Sequence, residues 1–213
     1  MSPSSLTGFD KFGKDSVNPS IEAVKKLPDK IEGAIIIKKE IPTVYKKSVD
    51  ILLRTIEKEM VDVVLNVGQA GGREGISIEK VGININDFRI PDNEGNVIID
   101  EKIIQTGDDA YFVNIPVKAI VKNLNNNGIQ SYVSYSAGTF ICNYVCYYMA
   151  YLTRMRYKNM KSGFIHVPYM DGQLKDKNIY SMPLDNIVEG LEIAIKTIIT
   201  TKKDIKYSYG TLK

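Results

Sequence analysis

TVYKKSVDILLRTIEKEMVDVVLNV, residues 43–67, decides how the chain folds, because two different periodicities meet in it. Thr43 is a candidate N-cap and apolar residues follow at 44, 51, 52 and 56, which predicts an amphipathic helix over 43–59. VDVVLNV (61–67) comes next and reads as a buried strand. A helix that feeds a buried strand belongs to a sheet with helices packed on it.

The alternation extends in both directions. Upstream there is a short first strand near Leu6, a helix over NPSIEAVKKL (18–27) with Asn18 or Ser20 near its N-cap, and a strand AIIIKKEI (34–41). Downstream, SIEKVGINI (77–85) reads as a strand, and NDFRIPDNEGNVIIDEK (86–102) as a long turn-rich excursion. Loops of that length inside a compact domain are usually functional or disordered. PVKAIVKNLNNNG (116–128) predicts a helix with Pro116 in its first turn and Gly128 at its C-terminal cap, leading into the strand IQSYVSY (129–135). A helix carrying Cys142 and Cys146, a strand SGFIHV (162–167) and a helix over 183–199 complete the pattern. The fold class is therefore α/β, a three-layer sandwich with a mainly parallel central sheet covered by helices on both faces. The chain shows no internal repeat or linker and reads as one domain, 1–213, in which residues 201–213 lose the periodicity and form a tail.

Composition narrows the function. The 28 Lys and Arg nearly balance the 25 Asp and Glu, giving a net charge of +3 with no basic block, so nucleic acid is not the expected partner. No run reaches the roughly 18 apolar residues of a membrane span, and MSPSSLTGFDKFG lacks the charged segment and apolar core of a secretory signal. A cytoplasmic location and reduced thiols are the expectation. Two cysteines four apart on a helix do not suit a disulfide, and with one histidine they give no recognisable zinc spacing, so no metal site is expected.

In open α/β sheets ligands bind beyond the carboxyl ends of the strands, where this chain places GFDKFG (8–13), GQAGGREG (68–75), SAGTF (136–140) and HVPY (166–169). His166 is the only histidine, so a cysteine hydrolase with an imidazole base has to use it; alone, it reads as a hydrogen-bonded structural residue. With Thr139 as N-cap, Cys142 would sit at N3, where the helix dipole favours a thiolate, while Cys146 lies one turn deeper among Tyr and Val as a small buried hydrophobe. GQAGGREG lacks the endings of a phosphate or dinucleotide loop. Its Gln69 reads equally as a loop brace or as a donor and acceptor for a neutral amide. Phe9, Phe12 and Phe140 suit the walls of an apolar pocket or the anchoring of loops. Strand alternation puts Ser77, Glu79 and Val81 on one face, with the carboxylate either functional or at a solvated edge.

These stretches together resemble the type I pyroglutamyl peptidase family. GFDKFG with NPS at 18–20, LNVGQAGGR (65–73), IEKVGINI (78–85), RIPDNEGN (89–96), AGTFICN (137–143) and GFIHVPY (163–169) carry the resemblance, in the family's order and across nearly the whole chain. The resemblance implies a cofactor-free cytosolic cysteine peptidase, commonly a homotetramer, that removes an N-terminal pyroglutamyl residue from peptides. It maps a catalytic set onto Cys142, His166 and Glu79, with Glu79 assigned by the resemblance alone among 25 carboxylates. Phe9, Phe12 and Phe140 would then face the lactam ring, Gln69 its amide, and Arg89 would assist at the oxyanion. The chain departs from the family in a short polar first strand (SPSSL), in GFDKFGK where GFDPFGG is usual, and in Phe88 where a small residue is usual. Two other readings are a nucleoside-phosphorylase-like enzyme with GQAGGR as anion site, and a non-catalytic lactam-binding protein on the same fold.

Overall fold

Strand β1 (Ser4–Phe9), helix α1 (Pro19–Lys26), β2 (Lys30–Ile31), β3 (Ala34–Ile41), α2 (Lys47–Glu59) and β4 (Val63–Gln69) form the first half of the chain. The second half runs β5 (Ile76–Glu79), β6 (Val81–Ile83), β7 (Ala110–Phe112), α3 (Val117–Asn126), β8 (Ser131–Ser134), α4 (Ile141–Met155), β9 (Lys161–Val167), β10 (Tyr169–Met170), β11 (Ser181–Met182) and α5 (Leu184–Thr200). The structure is a computed structural model that describes residues 3–13, 15–176 and 178–210; Lys14 of the GFDKFGK run and residues 211–213 of the expected tail lie outside the described residues.

Seven strands form one sheet in the order β2-β3-β1-β4-β9-β5-β8. The β3-β1, β1-β4, β4-β9 and β5-β8 pairings are parallel, while β5 runs antiparallel to β9 and β2 to β3. Helices α1, α3 and α5 pack together on one face, and α2 and α4 on the other. The expected three-layer α/β sandwich is realised. Among the described residues no helix is long and apolar enough to cross a membrane.

The polar first strand turns out to be central. All six residues of β1 are buried between β3 and β4. Its most central hydroxyl is paired, since Thr7 Oγ1 donates to Asn66 Oδ1 of β4 at 2.8 Å, and a buried polar group costs little once paired, whereas Ser5 Oγ is buried without a partner. Gly8 allows α1 to press close, since a Cβ there would stand 2.5 Å from the Ile21 Cα.

Several element starts differ from the sequence expectation, each for a traceable reason. Helix α2 begins at Lys47, after Lys46 in a left-handed conformation (φ 62°), and Thr43 does not cap it. The Thr43 N–H is taken instead by Asp10 Oδ1 at 2.8 Å, which ties this segment to the loop after β1. The run 77–85 breaks into β5 and β6 at Lys80, so Ser77 and Glu79 share a strand that Val81 has left. The excursion 86–102 is held in place by paired backbone bonds between Asn86 and Glu101 and by Asp92, whose carboxylate accepts from the Tyr45, Glu94 and Asn96 N–H groups.

Candidate active site

The parallel strands β1, β4 and β9 end side by side, and the loops after them close around a cavity of about 770 Å³. Its lining includes Phe9, Phe12, Gln69, Arg89, Phe140 and Cys142, so the nucleophile candidate and all five expected substrate-contacting residues face one space. His166 and Glu79 do not line it; they are buried in the sheet beneath, 4% and 0% exposed.

Strand register explains how these groups meet. Gly68 of β4 stands opposite His166 of β9, and Ser77 of β5 stands on its other side. Register partners project to the same face, and period two puts Glu79 on that face with Ser77. Glu79 Oε1 lies 2.7 Å from His166 Nδ1. Helix α4 covers this face, and a Cβ on Gly68 would stand 3.0 Å from Cys142 Sγ and 3.1 Å from the Phe164 ring. The sulfur therefore rests over Gly68, next to the imidazole-bearing position. Gly68→Ala should push the sulfur out of place and lower kcat/KM by roughly 10²-fold, on the scale expected of a misplacement near 1 Å. Steady-state kinetics on a protein shown by circular dichroism to be folded is the check, and an unchanged rate would show that the sulfur has room to spare.

Electrostatics assign protons to the set. Burial opposes the Glu79 charge, but the hydrogen bond and charge of His166 and the charge of Arg73 outweigh it, and the carboxyl is held below its ordinary value. Glu79 is thus ionised and can only accept, so Nδ1 of His166 is the donor in their 2.7 Å contact. The thiol of Cys142 differs from expectation. Phe140, not Thr139, is the N-cap of α4, which places Cys142 at N2. Thr139 Oγ1 instead donates to the Asp87 carbonyl at 2.7 Å, fastening the turn to the 86–102 excursion. Burial, and then the Glu79 charge, push the Cys142 thiol up to about 12 against the opposing pull of Arg73. The helix terminus does not yield a free thiolate at neutral pH, so the proton must be handed to a base. Cys146 is buried at 2% exposure, with its thiol also pushed up by burial, as expected of a packing residue.

Around the cavity the phenylalanines form a connected wall. The Phe12 and Phe140 rings lie 5.3 Å apart, and Phe88 meets Phe140 edge-on at 4.7 Å. Phe88, the bulky departure from the family motif, is a buried support for that wall at 3% exposure. Gln69 is partly committed: its Nε2 donates to Asp15 Oδ2 at 2.7 Å and its Oε1 accepts from Gln173 at 2.8 Å. One N–H and one lone pair of its amide stay available. Arg89 is exposed at the cavity rim.

Sequence reasoning missed Arg73, Asp15 and Gln173. Arg73 was weighed only as part of a phosphate loop, whereas its Nη1 donates to Glu79 Oε1 at 2.7 Å and to Ser77 Oγ at 2.8 Å. A buried carboxylate six residues downstream was the available signal. Nothing local marks Asp15 and Gln173, whose partners lie 54 and 104 residues away.

The chain is similar to known proteins over nearly its whole length. A family model described as pyroglutamyl peptidase matches residues 5–201. The chain is 51% identical over 208 residues to a pyrrolidone-carboxylate peptidase of Clostridium perfringens, covering 97% of this chain and 98% of that one. It is 52% identical over 200 residues to the protein of that name from Thermosipho africanus, covering 93% and 98%. Among solved structures, pyroglutamyl peptidase I from Bacillus amyloliquefaciens superposes with a TM-score of 0.94 at 43% identity, over 97% of this chain and 99% of that one. The pyrrolidone carboxyl peptidase from Thermococcus litoralis gives 0.93 at 36% identity, over 98% and 100%.

Proposed function

The chain belongs to the pyroglutamyl peptidase family of cysteine peptidases, which remove N-terminal pyroglutamate, and from that premise we propose that Cys142, His166 and Glu79 carry the reaction in this protein. The observation that carries the assignment is the 2.7 Å contact between Glu79 and His166 directly beside the strand position on which the Cys142 sulfur rests. The whole chain, 1–213, acts as one peptidase domain.

In the first half-reaction the Cys142 S–H passes its proton to His166 Nε2 as the sulfur attacks the carbonyl that joins pyroglutamate to the next residue. Burial holds the thiol above its ordinary value, so the sulfur needs a base to react as a thiolate. Glu79 stabilises the imidazolium so formed and keeps its Nδ1–H oriented. Unpaired N–H groups at the start of α4, with Arg89 at the rim, face the developing oxyanion. The imidazolium then protonates the departing amine, leaving a thioester. Water gives a proton to the same Nε2 and attacks the thioester, which releases pyroglutamate and restores the thiol.

The substrate's leading group is a neutral five-membered lactam with no free amine. Phe9, Phe12 and Phe140 supply flat apolar walls, and the remaining N–H and lone pair of Gln69 suit its amide. A phosphorylase-like use of GQAGGR is disfavoured because the loop's cation, Arg73, is turned onto a carboxylate. The chemistry needs a reduced thiol, which fits a cytoplasmic setting. Half or more exposed, Ile99 (67%) and Phe112 (59%) offer apolar surface for the homotetramer common to the family.

The test is hydrolysis of fluorogenic amides under reducing conditions. A pyroglutamyl amide should turn over, while the glutamyl amide, whose open chain lacks the lactam that the phenylalanine walls and the Gln69 amide suit, should react at least about 10³-fold more slowly. An inactive wild type, or equal rates on the two amides, would sink the reading.

A further inference from the structure

Arg73 does not line the cavity, yet it reaches two segments that build the site. Nη1 donates to Glu79 Oε1 and Ser77 Oγ of β5, and Nη2 donates to the Ser136 carbonyl in the turn that leads to Cys142, at 2.8 Å. Oε1 is also the atom that receives the His166 Nδ1 proton. One carboxylate oxygen thus serves two donors, one of them permanently charged.

We propose that Arg73 is a positioning residue that sets the charge balance of the Cys142–His166–Glu79 set, sharing the Glu79 carboxylate with the imidazole and bracing the turn before Cys142. The inference rests on the peptidase reading for its importance to turnover. Glu79 of β5 raises the thiol, Arg73 of the preceding loop lowers it, and Cys146 lies one turn on in α4; Asp15, Arg89, Asp92 and Tyr169 line the cavity that Cys142 faces. Of the charged groups, Glu79 is fully buried and the Arg73 side chain is 28% exposed, so solvent screens their effect on the sulfur less than it would at the surface. Removing the cation leaves the carboxylate unopposed, and both the thiolate and a hydrogen-bonded turn before α4 lose support.

The experiment follows iodoacetamide alkylation of Cys142 against pH, read by peptide mass, in wild type, Arg73→Gln and Arg73→Lys. The alkaline midpoint should move upward by about 1 unit in Arg73→Gln, a roughly tenfold loss of thiolate at fixed pH, and stay near wild type in Arg73→Lys, which keeps the charge. kcat/KM should fall in Arg73→Gln and recover in part in Arg73→Lys. Arg73→Met, which keeps the apolar stem, replaces Arg73→Gln if the latter does not fold. A midpoint that is unchanged on loss of the charge, or shifted equally in Arg73→Lys, overturns the proposal, as does failure of both neutral variants to fold, which would make the role structural. Alkylation needs no turnover, so it decides the role of Arg73 even if pyroglutamyl amides prove not to be substrates.

Discussion

Cys142→Ser is expected to lose pyroglutamyl amidase activity by roughly 10⁴-fold or more, while Cys146→Ser keeps it within about threefold. Serine has nearly the shape of cysteine, so the comparison isolates the atom. At position 142 the side chain meets the cavity, and the base beside it is matched to a thiol that it deprotonates during attack. An alcohol is a far weaker acid and a poorer nucleophile, and nothing else in the set is arranged to compensate. At position 146 the sulfur is enclosed by the core on the body of α4, and a hydroxyl there lacks a partner. Cys146→Ser should therefore lose about 1–3 kcal/mol of stability, the cost of burying an unpaired hydroxyl, and be detected by denaturant unfolding rather than by kinetics. Equal loss of turnover in both variants would remove Cys142 from the role of nucleophile.

The same pair of cysteines shows how much a sequence can disclose. Helical spacing separates a mouth position from a body position, and a single histidine leaves one choice of imidazole. The order of helices and strands follows from periodicity because the central strands β1, β4, β5 and β9 are buried on both faces while helices such as α2 and α3 bury one. What was illegible depends on pairing across long separations. The polar strand SSLTGF looks unfit for a sheet centre until Thr7 finds Asn66, 59 residues on. Thr43 and Thr139 look like helix caps, but tertiary contacts place them outside the helices: Asp10 accepts from the Thr43 N–H, and the Thr139 hydroxyl donates to the Asp87 carbonyl. The thiol ran against expectation for a similar reason: a terminus effect read from local sequence acts against burial and a carboxylate brought in by β5. Glu79 could be selected only by resemblance, because its distinguishing property is the company of His166 and Arg73.

Glu79→Gln is expected to lower kcat/KM by roughly 10³-fold while making the Cys142 thiol easier to ionise, two changes that a general loosening of the site would not combine. Both donors, Arg73 Nη1 and His166 Nδ1, meet the same oxygen, Oε1, so a glutamine can present its carbonyl there and keep both hydrogen bonds. The imidazole tautomer is then preserved and only the charge is lost. Without that charge the imidazolium formed during attack has no counter-ion, and the rate falls. The same charge holds the Cys142 thiol up, so its removal should move the alkaline alkylation midpoint downward, opposite to the shift expected for Arg73→Gln. Stability gives a third, independent reading. The folded-state value of Glu79 is depressed, so its carboxylate contributes stability that is fully present above the ordinary carboxyl range and is lost as pH falls through the lower folded value. Glutamine has no such proton to gain, and its acid unfolding curve should be flatter than that of the wild type in that window, as followed by circular dichroism at a series of pH values. A Glu79→Gln enzyme that kept wild-type turnover would show that the imidazolium needs no counter-charge; one whose thiol became harder to ionise would show that Glu79 faces the sulfur differently from the geometry described.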